Sequence, residues 1–232
     1  MSGSPEEPVV SDYLPPSPAE SWLLGGVTAV LQEGIGQQLG YWVGPGGVLS
    51  HDDGSGNGWQ LAWLPGGRAV ISGFDVDYST EREVAQLLAG APPWVPAPAE
   101  RAGFCFWWES DGGGWRCAAG ASDPGMRLTG SVEHVEERLA DRVWERIPEP
   151  DEDEDESEEE ELDEWAYVEG FHRRLEELLA AAREQRLTDG ELVPVLAFLA
   201  DPQEQRTAGA LALAAQAGFT AGSRLPWEAA TA

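Results

Sequence analysis

The sequence predicts an α+β fold: an antiparallel β-sheet packed by amphipathic helices, followed by an acidic linker and a small C-terminal α-helical segment. Three observations carry this. The stretch Trp59–Phe74, WQLAWLPGGRAVISGF, reads as two strands reversed at Leu64–Arg68 by Pro65, Gly66 and Gly67. Capping boxes at Ser17-Pro18-Ala19-Glu20 and Thr80-Glu81-Arg82-Glu83 announce helices on either side of it. Residues 151–164, DEDEDESEEEELDE, place 12 carboxylates in 14 positions and divide a strand-rich part from a helix-rich part.

In the hairpin, Trp59, Leu61 and Trp63 alternate with Gln60 and Ala62, and Val70, Ser72 and Phe74 alternate on the return. Three large aromatics need a cover, and the neighbouring amphipathic helices are the expected one.

Residues 1–17, rich in Pro, Ser and Glu, read as a disordered tail; they have no basic n-region and are not expected to be a secretory signal. The first helix presents Leu23, Val27, Val30 and Leu31 and stops at Gly34. Gly25 and Gly26 weaken it by roughly 1 kcal/mol each relative to Ala, so packing must hold it. Short strands follow near Leu39–Val43 and Val48–His51, around Gly44-Pro45-Gly46-Gly47. After Phe74, the Thr80 capping box opens a helix carrying Val84, Leu87 and Leu88, ended by Gly90 and Pro92-Pro93. Pro92–Pro98 is a connector, and Phe104–Glu109 with Trp115–Ala119 forms a second hairpin. A helix capped by Ser131 lines up Val132, Val135, Leu139, Val143 and Ile147.

Beyond the acidic run, Trp165, Val168, His172, Leu175, Leu179 and Ala182 recur at helical spacing. Thr188 and Glu191 form a capping box, although Pro194 falls deep for that start, and a start nearer Pro194 is the alternative. Asp201-Pro202-Gln203-Glu204 opens a last helix ending at Gly218. The chain therefore divides into a tail (1–17), an α+β domain (18–147), an acidic linker (148–164), a helical bundle or docking arm (165–226) and a C-terminal tail (227–232). Three helices in so short a stretch make a marginal core, which favours docking.

Net charge is −28, from 42 acidic against 14 basic residues, and all the basic residues are Arg. Without the run 151–164 the chain still carries −16, that is −28 plus 12. This argues against nucleic acid and against an anionic membrane surface, and for a basic protein partner. No stretch of about 18 apolar residues occurs, so no span is expected, and a soluble cytoplasmic protein is the expectation. The Ala, Gly and Arg bias is that of a high-GC bacterial genome.

Each candidate site has a plain structural reading beside it. Asp53-Gly54-Ser55-Gly56-Asn57-Gly58 opens like a calcium loop, with Asp52 as a possible fourth oxygen ligand alongside Asp53, Ser55 and Asn57. Its twelfth position is Leu64 instead of a bidentate Glu, and its flanks read as strands, so a Gly-rich turn is preferred. Asp75 and Asp77 share a strand end and suit paired-carboxylate chemistry, but they equally suit a helix entry. Cys105 and Cys117 face one another across the second hairpin in this reading, as buried small hydrophobes in preference to a redox pair. Trp107 and Trp108 are adjacent in one strand and so point to opposite faces, with Trp115 opposite one of them. One of these aromatics is thereby expected to form an exposed binding surface unless the C-terminal helices cover it. No phosphate loop, nucleophile elbow or cofactor fingerprint is found, so no cofactor is expected.

Three functions follow, in order. The first is an acidic interaction module of regulatory or immunity type that binds a basic protein. The second is a metal-dependent hydrolase using Asp52, Asp53, Asp75 and Asp77. The third is a DNA mimic through Asp151–Glu164. Nothing in the sequence fixes an oligomeric state.

Overall fold

A computed structural model describes residues 14–98, 101–109, 114–121, 123, 125, 139–147 and 158–229. The fold is α+β, built on a six-stranded antiparallel sheet in simple sequential order. The strands are β1 (Tyr41–Gly44), β2 (Val48–Asp52), β3 (Gly58–Leu64), β4 (Arg68–Phe74), β5 (Phe104–Glu109) and β6 (Gly114–Arg116). The Gly- and Pro-rich stretches mark the first three reversals, as strand alternation and turn chemistry predict.

Helix α1 (Pro18–Ile35) is the centre of the molecule. Ser17 caps it, accepting from the Glu20 amide at 3.3 Å, and Gly36 ends it with φ 67°, two residues beyond the expected Gly34. The expected apolar stripe is too narrow, because 14 of its 18 residues are buried. One side lies on β1 and β2. The other lies against α3 (Glu158–Arg183), α4 (Asp189–Leu199) and α5 (Thr207–Ala217). A short helix, α6 (Pro226–Ala229), closes the C-terminal end.

Glycines let these layers close. A Cβ on Gly25 would stand 2.6 Å from Leu49 Cδ2, one on Gly26 2.7 Å from Phe219 Cζ, and one on Gly34 2.7 Å from Leu196 Cδ2. The residues that weaken α1 as an isolated helix are thus the ones through which the sheet and the bundle approach it. Trp22 Nε1 donates to Ala217 O at 3.0 Å and Arg206 N to Gly34 O at 2.7 Å, pinning the C-terminal helices to α1. One continuous apolar core runs from Trp22 through the sheet to Leu225.

Side chains occupy much of the free edge of β1. Gln32 accepts from the amides of Leu39 (2.7 Å) and Tyr41 (3.2 Å) and donates to Tyr41 O (3.0 Å). Gln216 donates to Val43 O at 3.0 Å. These carboxamides engage backbone groups of an edge that would otherwise invite another strand.

Several local expectations change. In β3–β4, Trp59 pairs with Gly73 and Leu61 with Ile71, so Val70, Ser72 and Phe74 lie on the opposite face from the two tryptophans. The helix expected from Thr80 forms only as α2 (Val84–Leu87), capped by Glu83 with Gln86. The amides of Thr80 and Arg82 are already committed, to Asp123 Oδ2 at 3.3 Å and Ala102 O at 3.1 Å. α4 does start from Thr188 and holds Pro194 inside, its entry fixed by Thr188 N to Glu191 Oε2 (3.0 Å) and Gly190 N to Thr188 Oγ1 (3.1 Å). Residues 202–204 form a turn, and the last long helix begins at Thr207.

α3 reaches back to Glu158, so the second half of the acidic run is helical instead of extended; a helix N-terminus favours such negative charge. Phe171, not Trp165, fills the core side of α3, and Trp165 is 65% exposed. The helix read from Ser131 lies outside the described residues except for 139–147, of which 139–144 are helical. No helix among the described residues is long and apolar enough to cross a membrane.

Candidate functional site

A cleft of ≈ 490 Å³ opens where β1 and the loop after β2 face the helical segment 139–144 and its turn. Tyr41 and Trp42 come from β1, Asp52 and Asp53 from the loop, and Asp141, Arg142 and Glu145 from the opposite wall. Strand alternation sends Trp42 outward, where it stays 41% exposed. Tyr41 turns inward with His51, the rings 4.4 Å apart, and His51 Nδ1 lies 3.0 Å from Gly40 O.

Gly40 (φ 83°) is required there: a Cβ would stand 2.4 Å from Asp52 O, whose amide donates to Gly40 O at 2.9 Å. That contact fixes where Asp52 leaves the sheet. Four carboxylates face one guanidinium in the lining, and Arg142 is engaged with Glu145 at 3.1 Å. Among the described residues Asp52, Asp53 and Asp141 have no ion-pair partner.

The loop after β2 is a turn. Asp53 Oδ1 accepts from Ser55 N (2.8 Å) and Asn57 N (3.3 Å), and Oδ2 accepts from Asn57 Nδ2 (2.8 Å). Asp52 Oδ1 accepts from Gly54 N (2.8 Å), and Asn57 Oδ1 from Val76 N (2.7 Å). The oxygens of Asp52, Asp53 and Asn57 that were candidate ligands therefore hold the backbone, as Asx turns do, while Ser55 sits exposed at the tip. Burial pushes the Asp53 carboxyl up, but the amides of Ser55 and Asn57, the Asn57 side chain and the nearby His51 outweigh it and hold the pKa below the ordinary value. Among the described residues no three His, Cys, Asp or Glu side chains are grouped to hold a metal ion.

The other candidates separate. Asp77 is exposed, whereas Asp75 is buried and its Oδ1 accepts from the amides of Asp77 (2.9 Å) and Tyr78 (3.2 Å). Ser79 Oγ accepts from Asp75 N (3.0 Å) and donates to Asp123 Oδ1 (2.8 Å), which also accepts from Gly125 N (2.9 Å). Asp75 and the buried Asp123 thus fix the start of the long β4–β5 connection, and among the described residues Asp52, Asp53, Asp75 and Asp77 belong to no group of three or more ligating side chains that could hold a metal ion. Sequence reading passed over Asp123, whose only signal is the turn-forming Asp-Pro-Gly it opens.

The expected aromatic surface is filled. Trp107 points away from α1, but Leu87, Val95, Ala102, Cys105, Ala118 and Ala121 cover it and leave it 1% exposed. Trp115 is buried in the main core with its Nε1 donating to Pro16 O at 2.8 Å, and Trp108 packs edge-on against it, half-buried. The cover over Trp107 comes from the segments after β4 and after β6, not from the C-terminal helices. Cys105 and Cys117 are buried thiols not joined in a disulfide, and they pack in different clusters instead of facing one another. Burial, reinforced by the neighbouring Cys117, pushes the Cys105 thiol up to about 12, and burial also raises Cys117. Residues 151–157 lie outside the described residues, and with them the first half of the tract read as a DNA mimic. Compared with known proteins, the chain matches no family model, no curated protein and no solved structure.

Proposed function

We propose that this chain is a protein-interaction module that takes a basic segment of a partner into the cleft between β1 and the helical segment 139–144. The single observation that carries this reading is the cleft's composition: Asp52 and Asp53 on one wall, Asp141 and Glu145 on the other, and Trp42 open at the rim. A partner Arg or Lys placed there gains carboxylates from two sides and an indole face for cation–π contact. The surrounding charge of −28 speeds encounter with a basic surface and makes it salt-sensitive.

The test is affinity capture from source lysate with three forms of the full chain. These are the wild type, a cleft variant (Asp52→Asn, Asp141→Asn, Glu145→Gln) and an equal-charge control on exposed helix and turn positions (Glu169→Gln, Glu176→Gln, Glu204→Gln). A basic protein held at about 50 mM salt and released at about 500 mM is expected for wild type and control, and not for the cleft variant. Equal capture by both triple variants, or none by the wild type, defeats the reading.

A further inference from the structure

Beside the β1–β2 turn, and away from the acidic cleft, lies a recess of ≈ 380 Å³ where that turn, the end of β3 and the C-terminal residues meet. Its walls include Trp22, Trp63, Pro45, Pro65 and Pro226, and the size falls in the range of small-molecule sites. Two observations make it unlike the rest of the surface. In a chain with 42 acidic residues, its lining holds no carboxylate and does hold Arg224, whose guanidinium has no partner among the described residues.

The second observation is independent of charge. Trp63 is 9% exposed, and its buried indole Nε1 has no hydrogen-bond partner among the described residues. Trp22 and Trp115, by contrast, donate to backbone carbonyls at 3.0 and 2.8 Å. A buried donor left unpaired is uncommon in a folded chain and calls for an explanation. The Trp63 ring already leans on Trp227, with centroids 4.9 Å apart. Its Cδ1, bonded to Nε1, lies 3.8 Å from where a Gly47 Cβ would stand, so the donor edge sits by the glycine turn that borders the recess.

The geometry points to a binding site for a small molecule carrying a carboxylate on a flat apolar body. The ring packs among Trp22, Trp63 and the prolines, one carboxylate oxygen accepts the Trp63 Nε1–H, and Arg224 neutralises the charge. Gly46, beside which a Cβ would meet nothing within 4 Å, gives the turn room to yield as the acceptor enters.

The test uses the full ¹⁵N-labelled chain and phenylacetate as probe, with phenylacetamide as the uncharged counterpart. The Trp63 indole N–H resonance, assigned by its absence in Trp63→Phe, is expected to move saturably with phenylacetate. Affinity should drop about tenfold for phenylacetamide and for Arg224→Gln, the loss of one charge-assisted hydrogen bond. Arg224 is exposed, so its variant keeps the fold whether or not Trp63→Phe does. A Trp63 resonance unmoved by millimolar phenylacetate overturns the site, as does equal binding of both probes or of wild type and Arg224→Gln. The cleft variant should bind phenylacetate as wild type does, which separates this test from that of the partner-binding reading.

Discussion

The two faces of the sheet are buried by different means. On one face, α1 and the C-terminal helices build a continuous core in which Leu49, Leu61, Ile71, Phe104 and Phe106 are wholly inaccessible. On the other, among the described residues, the part over β4 to β6 is covered by largely irregular segments with one helical turn, and the cluster there has eight buried residues, three of them from the strands themselves. The rest of that face stays open, with Trp42 and Gln60 exposed. Regular helices bury area on both their sides at once, whereas a loop cover must spend its backbone polar groups on specific partners such as Asp123. The helical side should therefore hold most of the stability, and the loop side should open first.

The largest effect tests the helical side. Phe219→Ala should cost about 3–5 kcal/mol, much of the stability of an ordinary domain. Gly26 makes this a sharper test, because a Cβ there would meet the Phe219 ring at 2.7 Å. Gly26→Ala alone should destabilise by about 1–3 kcal/mol through overpacking. In the Phe219→Ala background the same change should become neutral or stabilising, since the ring is gone and Ala is the better helix former by about 1 kcal/mol. Urea unfolding of the four proteins reads the cycle, and additive costs would mean that the contact is not what selects glycine.

The next effect tests the loop side. Leu87 is fully buried, yet it sits in a single helical turn flanked by irregular chain that can settle into a cavity. Leu87→Ala should cost about 2 kcal/mol, at the low end for such a truncation. Hydrogen exchange should quicken in β5 and in residues 84–102 while α1 keeps its protection. Equal loss of protection in α1 would show that the two faces open as one unit.

A third, smaller effect concerns the edge that neither face covers. Gln32→Ala removes the carboxamide that serves Leu39 and Tyr41, and Gln216→Ala frees Val43 O. Each should cost about 1 kcal/mol. The double variant should also self-associate through the bared strand, visible as a concentration-dependent shift in sedimentation. A stable, monodisperse double variant would mean that α1 alone shields the edge.

The same contrast explains what was legible in the sequence. The antiparallel sheet was, because its alternation and its Gly-rich reversals are local signals within a few residues of one another. The hairpin's faces were less so: Phe74 is one position out of phase with Trp59 and Trp63 across the turn, and only the pairing Trp59–Gly73 reveals it. Gly25, Gly26 and Gly34 read as weaknesses because propensity sees the helix alone, whereas their partners Leu49, Phe219 and Leu196 are distant in sequence. The cover over Trp107 was hidden for a like reason, since its backbone follows Asp123 and Ala102 and not any periodicity. In the acidic cleft the wall bearing Asp52 and Asp53 was singled out, but that of Asp141 and Glu145 was not. The recess at Trp63 joins four stretches of the chain and carries no motif at all.

The smallest effect belongs to the loop after β2, which lies outside both covered faces and rims the cleft. Asp53 is more acidic in the folded chain than its ordinary 3.8, because its amide hydrogen bonds require the charged form. A depressed carboxylate contributes stability that is present above the unfolded value and is lost as pH falls through the folded one, so the window lies below about pH 4. The group is largely solvated, and the contribution should stay under about 1 kcal/mol. Asp53→Asn should therefore lower the thermal midpoint slightly at pH 7, and the difference from wild type should vanish near pH 2. The comparison at both pH values separates charge from shape: a deficit of equal size at pH 2 would mean that Asn fails to reproduce the turn, and that the carboxylate's charge was not what held Ser55 and Asn57 in place.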